Sequence, residues 1–359
     1  MMTKTKIKLL SIAAGTMLAA CSASTSSSDA YVVTATVPAE YDGATAFLVN
    51  FDTGEKIDSV TVENGTAKFS GTVTSPVPAR LIINGNRMGS LTLEGGEITM
   101  ADRKASGTPF NDMNNKISAH VQELGERYEK IPQDSTGNEA RELLNAEYEA
   151  YIDSVFNANL DNVIGYTLFL DKAYSMNLAE LNEMLEAHPS LKEYKRVGKL
   201  LEAAENKEKT SVGNKFVDFT IENDSVKQSL SDYVGRGKPV LVDFWASWCG
   251  PCIKETKVIK EILGEYGSKG LEVLGVAVWD EPENTIQAVE KHQLPWPQIM
   301  NAQSVPTDLY GISGIPCIIL FGPDGTILSR DKQDADLRAD IKAYFDGTLT
   351  APADSAAVK

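Results

Sequence analysis

Two cysteines three residues apart, Cys249 and Cys252, enclose Gly250 and Pro251 directly after an apolar run. A helix is expected from the second cysteine, which puts the first at the positive end of the helix dipole, beside amide donors with no intrahelical partner. That setting favours the thiolate, the nucleophilic form of the side chain. Such a pair is also half of a zinc site, but the next thiol, Cys317, lies 65 residues on and the three histidines fall at no ligand spacing. Asp243 stands six residues before Cys249 as the lone acid of the run 240–244. Either burial raises its pKa into the range useful for acid–base work near neutrality, or it reaches solvent from a strand end. Glu255 falls one helical turn past Cys252. Either its charge raises the pKa of that thiol, or it is an exposed helix-surface acid. Cys317 is read as a small buried strand residue or as a third redox thiol.

The elements that must position these groups follow from periodicity. From about 211 to 345 the order is β-hairpin, strand, helix, strand, helix, strand, with strands at 240–244, 273–278, 317–321 and 326–328 and helices at 283–292 and 334–345. This is an α/β domain, assigned to 209–350, with a tail at 351–359. From 108 to about 207 apolar residues recur at helical spacing, as at Ile117, Val121, Leu124 and Tyr128. Helices are expected near 110–131, 138–158, 162–175, 177–187 and 190–207, with His188-Pro189 breaking the last two apart; this central α-helical segment is placed at 106–208. From 31 to 105 short β-type runs alternate, at 31–37, 45–51, 56–62, 66–73, 80–83 and 90–100. Glu63-Asn64-Gly65 forms a hairpin turn, because Asn-Gly tolerates positive φ. An antiparallel β-sandwich or barrel is expected there, so the chain is multidomain.

The first twenty residues carry Lys4, Lys6 and Lys8, no acid, and then an apolar stretch too short for a comfortable membrane span. They read as a signal peptide, 1–20. The stretch ends Leu18-Ala19-Ala20-Cys21, which resembles a bacterial lipobox and implies a lipid on Cys21. Residues 21–30 then form a Ser-rich tether, of which 22–29 reach at most about 27 Å from the membrane. Localisation is therefore expected in the cell envelope, anchored by lipid and facing the periplasm. The remaining cysteines would then work where disulfides persist, and any reducing activity needs electrons from outside.

The whole chain has 359 residues, 42% hydrophobic and 23% charged, enough for two or three folded domains and unlike a collagen, a disordered chain or a multi-span membrane protein. Thirty-four basic against fifty acidic residues give a net charge of −16, and −19 once the three leader lysines are gone. Such a field repels phosphates, so nucleic acid is excluded as a partner class. No cofactor and no metal is expected.

The segment Val242-Asp243-Phe244-Trp245-Ala246-Ser247-Trp248-Cys249-Gly250-Pro251-Cys252 resembles thioredoxin. With Phe216-Val217-Asp218-Phe219-Thr220, Gly235-Arg236-Gly237-Lys238-Pro239 and Tyr310-Gly311-Ile312-Ser313-Gly314-Ile315-Pro316, it resembles the membrane-tethered TlpA/ResA group of the AhpC/TSA-like thioredoxin superfamily. The layout of 31–105 is similar to the β-rich domain of unknown function that often precedes such a domain in lipoproteins. The resemblance implies a thioredoxin fold over roughly 135 residues. It also implies a redox-active disulfide between Cys249, the attacking thiolate, and Cys252, which resolves the mixed disulfide. It makes Asp243 the buried acid that relays a proton to the deeper thiol and Glu255 an acid beside the site. Trp245 and Trp248 become the flanking aromatics, and Ile315-Pro316 a cis peptide facing the cysteines. Substrate contact falls to Trp248, Gly250, Pro251, Ile315 and Pro316. Two positions depart from the pattern: Lys257 stands where thioredoxin has a helix-kinking proline, and Cys317 follows the cis-proline in place of a non-thiol residue.

The reading is a cell-envelope thiol:disulfide oxidoreductase that reduces disulfides of exported proteins and draws on a membrane electron donor. The alternatives are a disulfide oxidase or isomerase, or a partner-binding lipoprotein on a thioredoxin-like scaffold. Peroxidase chemistry is disfavoured, since the Trp-Cys-Gly-Pro-Cys arrangement is not that of a lone peroxidatic cysteine.

Overall fold

The computed structural model describes residues 29–223 and 226–349. The signal peptide, Cys21, nearly all of the tether and the tail lie outside the described residues. Two compact units divide the chain, Met1–Glu123 and Leu124–Lys359.

In the first unit β1 (Ala30–Thr36), β4 (Thr66–Thr72), β7 (Gly96–Ala101) and β8 (Lys104–Ser106) form a sheet in the order β4-β1-β7-β8. The facing sheet holds β2 (Thr45–Asn50), β3 (Lys56–Thr61), β5 (Val77–Ile83) and β6 (Asn86–Leu93), in the order β3-β2-β5-β6. Alternate residues of each strand point inward, so Val33, Leu48, Phe69, Leu81 and Ile98 make the core of a sandwich. The turn at Asn64-Gly65 forms, with both residues at positive φ and Glu63 and Thr66 exchanging two backbone hydrogen bonds. Beyond it the strands part into different sheets, so the turn links the layers and makes no extended hairpin. The run expected as one strand over 90–100 also breaks, at Glu94-Gly95-Gly96, where Gly96 has φ +125°. The chain there crosses between sheets, and β7 lies parallel to β1, with Val33 opposite Ile98. Glu94 then accepts the backbone N–H of Phe110 at 2.9 Å, in the first turn of α1 (Pro109–Glu129), as a carboxylate suits a helix N-terminus.

The second unit begins with the rest of α1 and continues through α2 (Asn138–Ala158), α3 (Val163–Ala173), α4 (Leu178–Ala187) and α5 (Lys195–Lys209). Asn162 caps α3, and Asn177 with Glu180 closes a capping box on α4. Pro189 opens a 3-10 turn over Pro189–Glu193, which delays α5 to Lys195, five residues past its expected start.

The α/β part follows. Its strands are β9 (Thr220–Asn223), β10 (Val226–Ser229), β11 (Val240–Trp245), β12 (Glu272–Ala277), β13 (Gln298–Ile299), β14 (Cys317–Phe321) and β15 (Ile327–Arg330). Its helices are α6 (Gly250–Tyr266), α7 (Pro282–His292), α8 (Val305–Leu309) and α9 (Asp334–Phe345). The main sheet runs β13-β12-β11-β14-β15, with β11 parallel to β12 and antiparallel to β14. Every residue of β11 is buried: Val240, Val242 and Phe244 pack into one core, Leu241 and Trp245 into another on the opposite face.

Helix α5 joins this domain closely. The buried Arg330 guanidinium donates to the Thr210 carbonyl at 2.9 Å and the Tyr310 carbonyl at 2.6 Å. Gly311 has φ +58°, and a Cβ there would lie 2.1 Å from the Ala203 carbonyl oxygen. Only glycine combines that backbone with that approach. Gly311→Ala is therefore expected to cost at least about 2 kcal/mol in urea unfolding. A midpoint and slope equal to wild type would contradict this account of the α5 contact.

Candidate active site

The site lies at the C-terminal end of β11. The chain turns there through Ala246-Ser247-Trp248 into α6. Cys249 is the N-cap of that helix, and its Sγ accepts the backbone N–H of Cys252 at 3.2 Å. The helix thus starts at Gly250, two residues earlier than expected. Pro251 fits the first turn because its missing N–H would have had no partner there. Cys249 and Cys252 are joined as a disulfide, with Cα atoms 5.2 Å apart. Cys249 is 4% exposed and Cys252 0%, so the first is the more open of the pair. Helix α6 runs unbroken to Tyr266 through Lys257.

Beneath the dithiol, Asp243 is buried and its Oδ1 has no hydrogen-bond partner among the described residues. Burial first, and the Glu255 charge second, push its pKa up to about 8. Glu255 is only 6% exposed, which removes the surface reading, and it accepts the Asp334 N–H at the start of α9 at 2.8 Å. Its charge bears on Asp243.

The peptide Ile315-Pro316 is cis, and the Ile315 carbonyl oxygen lies 3.7 Å from Cys249 Sγ. The two tryptophans differ sharply. Trp248 is 62% exposed, with its indole N–H donating to the Trp279 carbonyl at 2.9 Å. Trp245 is fully buried and donates to Gln298 Oε1 at 3.0 Å.

Cys317 faces away from the dithiol. It is paired with Phe244 across the sheet and packs in that residue's core, whereas Cys249 and Cys252 belong to the core on the other face. Its thiol donates to Asp331 Oδ1 at 3.1 Å, and burial and the Asp331 charge hold its pKa well above the usual thiol value. Cys317 is thus the small buried strand residue, and the sheet stands between it and any exchange with the pair.

Sequence reasoning missed Asp280. This buried carboxylate accepts the Ser247 N–H at 2.7 Å, the Ser247 hydroxyl at 3.0 Å and the Thr285 hydroxyl at 2.8 Å, and so fixes the turn that presents Cys249. An acid just before the start of α7 was the available signal, but it reads equally as an ordinary helix cap. Among the described residues, no group of three or more His, Cys, Asp or Glu side chains is arranged to hold a metal ion.

Residues 212–330 match the AhpC/TSA family model, and 31–114 match a domain of unknown function, DUF4369. Over 123 residues the chain is 31% identical to thiol-disulfide oxidoreductase ResA of Geobacillus thermodenitrificans, covering 33% of this chain and 70% of that protein. It is 32% identical over 117 residues to ResA of Halalkalibacterium halodurans, covering 32% of this chain and 65% of that one, just under two thirds of its length. Among solved structures, the thioredoxin domain of a Bacteroides vulgatus thiol-disulfide oxidoreductase is 27% identical, with a TM-score of 0.33 over 39% of this chain and 99% of that domain.

The raised pKa of Asp243 carries a sign. The folded state holds this proton more tightly than the unfolded chain, whose carboxyl titrates near 4. The stability it contributes is complete below about pH 4 and is lost as pH rises through about 8. Urea unfolding of the oxidised protein is expected to show a decline from pH 5 to pH 9 that flattens in Asp243→Asn. Equal slopes in the two proteins would mean that the carboxyl is not held protonated by burial.

Proposed function

We propose that this chain, which belongs to the ResA-like thiol-disulfide oxidoreductases of the AhpC/TSA family, reduces disulfides of exported proteins in the cell envelope. The observation that carries the reading is the dithiol at the start of α6, with the Cys252 amide on Cys249 Sγ and a buried acid below.

In the reduced protein the Cys249 thiolate attacks one sulfur of a substrate disulfide. A Cys249–substrate bond forms, and the substrate's other sulfur leaves as a thiolate that takes up a proton. Cys252 then gives its proton to the Asp243 carboxylate and attacks Cys249 Sγ, which releases the second substrate thiol and closes the intramolecular disulfide. Two electrons pass to the substrate. With its pKa pushed up to about 8, Asp243 can both take and give up a proton near neutrality, the condition for a relay. Burial, with the Glu255 charge adding to it, keeps Asp243 in that range. The Ile315 carbonyl beside Cys249 offers a backbone partner to an extended substrate segment at Pro316, and the exposed Trp248 ring, with Gly250 and Pro251, supplies the contact surface.

Reduction is favoured over oxidation because Gly-Pro is the dipeptide of thioredoxin, a reductant at about −270 mV against about −120 mV for the oxidant DsbA. Working outside the cytosol, the pair needs a membrane donor of two electrons and two protons. The charged leader and the lipobox support anchoring through lipid on Cys21, and no described helix is long and apolar enough to cross a membrane.

Equilibration of the dithiol against glutathione or dithiothreitol tests the direction. A potential near or below about −220 mV is expected, and one near −120 mV would turn the enzyme into an oxidase. Cys249→Ser is expected to abolish disulfide reduction. Cys252→Ser should accumulate a mixed disulfide with substrate, seen as an added mass that dithiothreitol removes. For the anchor, Cys21→Ala is expected to lose fatty-acid labelling and membrane retention.

A further inference from the structure

Gln298 holds a place that the reaction described so far does not use. In sheet register Asp243 lies opposite Gly275, and Gly275 lies opposite Gln298, so the three form one row across β11, β12 and β13. Residues in such a row share a face. This face is the one whose core contains Cys249 and Cys252. Gly275 has no side chain, and the Gln298 amide lies over it: a Cβ on Gly275 would fall 2.0 Å from Gln298 Oε1 and 2.6 Å from Nε2. The amide is therefore drawn in from the edge strand until it sits above β12, about one strand spacing, ~4.8 Å, from the strand that carries Asp243.

The orientation of that amide is determined by its neighbour. Trp245 can only donate, and its N–H lies 3.0 Å from Oε1. The opposite end of the amide is then a donor, and Nε2 is buried with no hydrogen-bond partner among the described residues. Asp243 Oδ1 is in the same condition and is an acceptor. Two buried groups of opposite kind, one strand apart and not bonded to each other, have the chemistry to share one water that accepts from Nε2 and donates to Oδ1. A buried polar group left alone costs about 1–3 kcal/mol, which a shared water recovers for both.

We infer that Gln298 is a positioning residue for the proton-carrying acid: its Nε2 and Asp243 Oδ1 hold one buried water between them across Gly275. The inference rests on the reading of Asp243 as the acid that takes the Cys252 proton. The water donates to the carboxylate and holds it in place while the proton is on Cys252, and it turns to accept once Asp243 is protonated. The other titratable groups bearing on Asp243 are Glu255 from α6 and Cys317 from β14.

The test follows the Asp243 carboxyl carbon by NMR across pH in the reduced protein. In Gln298→Met, which keeps the bulk over Gly275 and removes the donor, the Asp243 midpoint is expected to rise by about one pH unit, a tenfold change in proton affinity. A midpoint equal to wild type, with reduction slowed evenly at every pH, would make Gln298 structural only and overturn the inference. The wild-type protein supplies a second readout that needs no variant. The Gln298 side-chain amide protons should shift with the Asp243 midpoint and show a cross-peak to a long-lived water; flat shifts without that cross-peak would overturn it as well. The acid reading fails separately, if Asp243→Asn leaves the pH dependence of mixed-disulfide resolution as it was.

Discussion

A carboxyl group enclosed in a strand covered on both faces is the constraint around which the catalytic domain is arranged. Burying β11 on both sides requires apolar residues at its other positions, and it leaves Asp243 without solvent to stabilise its charge. The helix laid over that face must then start where it can put a thiol pair above the acid. It does so with Cys249 at the N-cap, where an amide of its own first turn faces the sulfur. Glu255 enters from the same helix and is held in place by the first amide of α9. Strand, helix and the start of α9 thus meet at one buried proton.

Around that centre the domain holds its loops with long-range polar contacts. Asp280 ties the turn before Cys249 to the start of α7, and Trp248 is bound to the neighbouring Trp279 carbonyl. Arg330 joins the end of α5 to the segment that leads to Ile315 and Pro316. The helical segment is in this way part of the catalytic domain's framework, because the carbonyls that Arg330 binds belong to Thr210 on one side and Tyr310 on the other.

The sequence was most legible where the signal is local. Cys249 and Cys252 carry their spacing with them, Asp243 stands out as one acid in an apolar run, and the helices at 138–158 and 334–345 follow from a regular period. The contacts that escaped have no period. Asp280 reaches Ser247 across 33 residues, and Gln298 reaches Trp245 across 53. In the β-rich unit the double glycine after Glu94 was a turn signal overridden by the alternation on either side, and the parallel pairing of β7 with β1 depends on how two sheets close over a core. The burial of Glu255 depends on where α9 begins, far along the chain.

The side of the sheet on which Cys317 lies has a consequence for electron bookkeeping. Three thiols within one small domain would ordinarily permit three alternative disulfides. Here the sheet works as a partition: one face holds the pair, and the other holds a thiol bonded to Asp331. Oxidising equivalents that arrive at Cys249 have one internal destination, Cys252. A domain with three cysteines thereby closes the single disulfide of a domain with two, and no misdirected pairing competes with it.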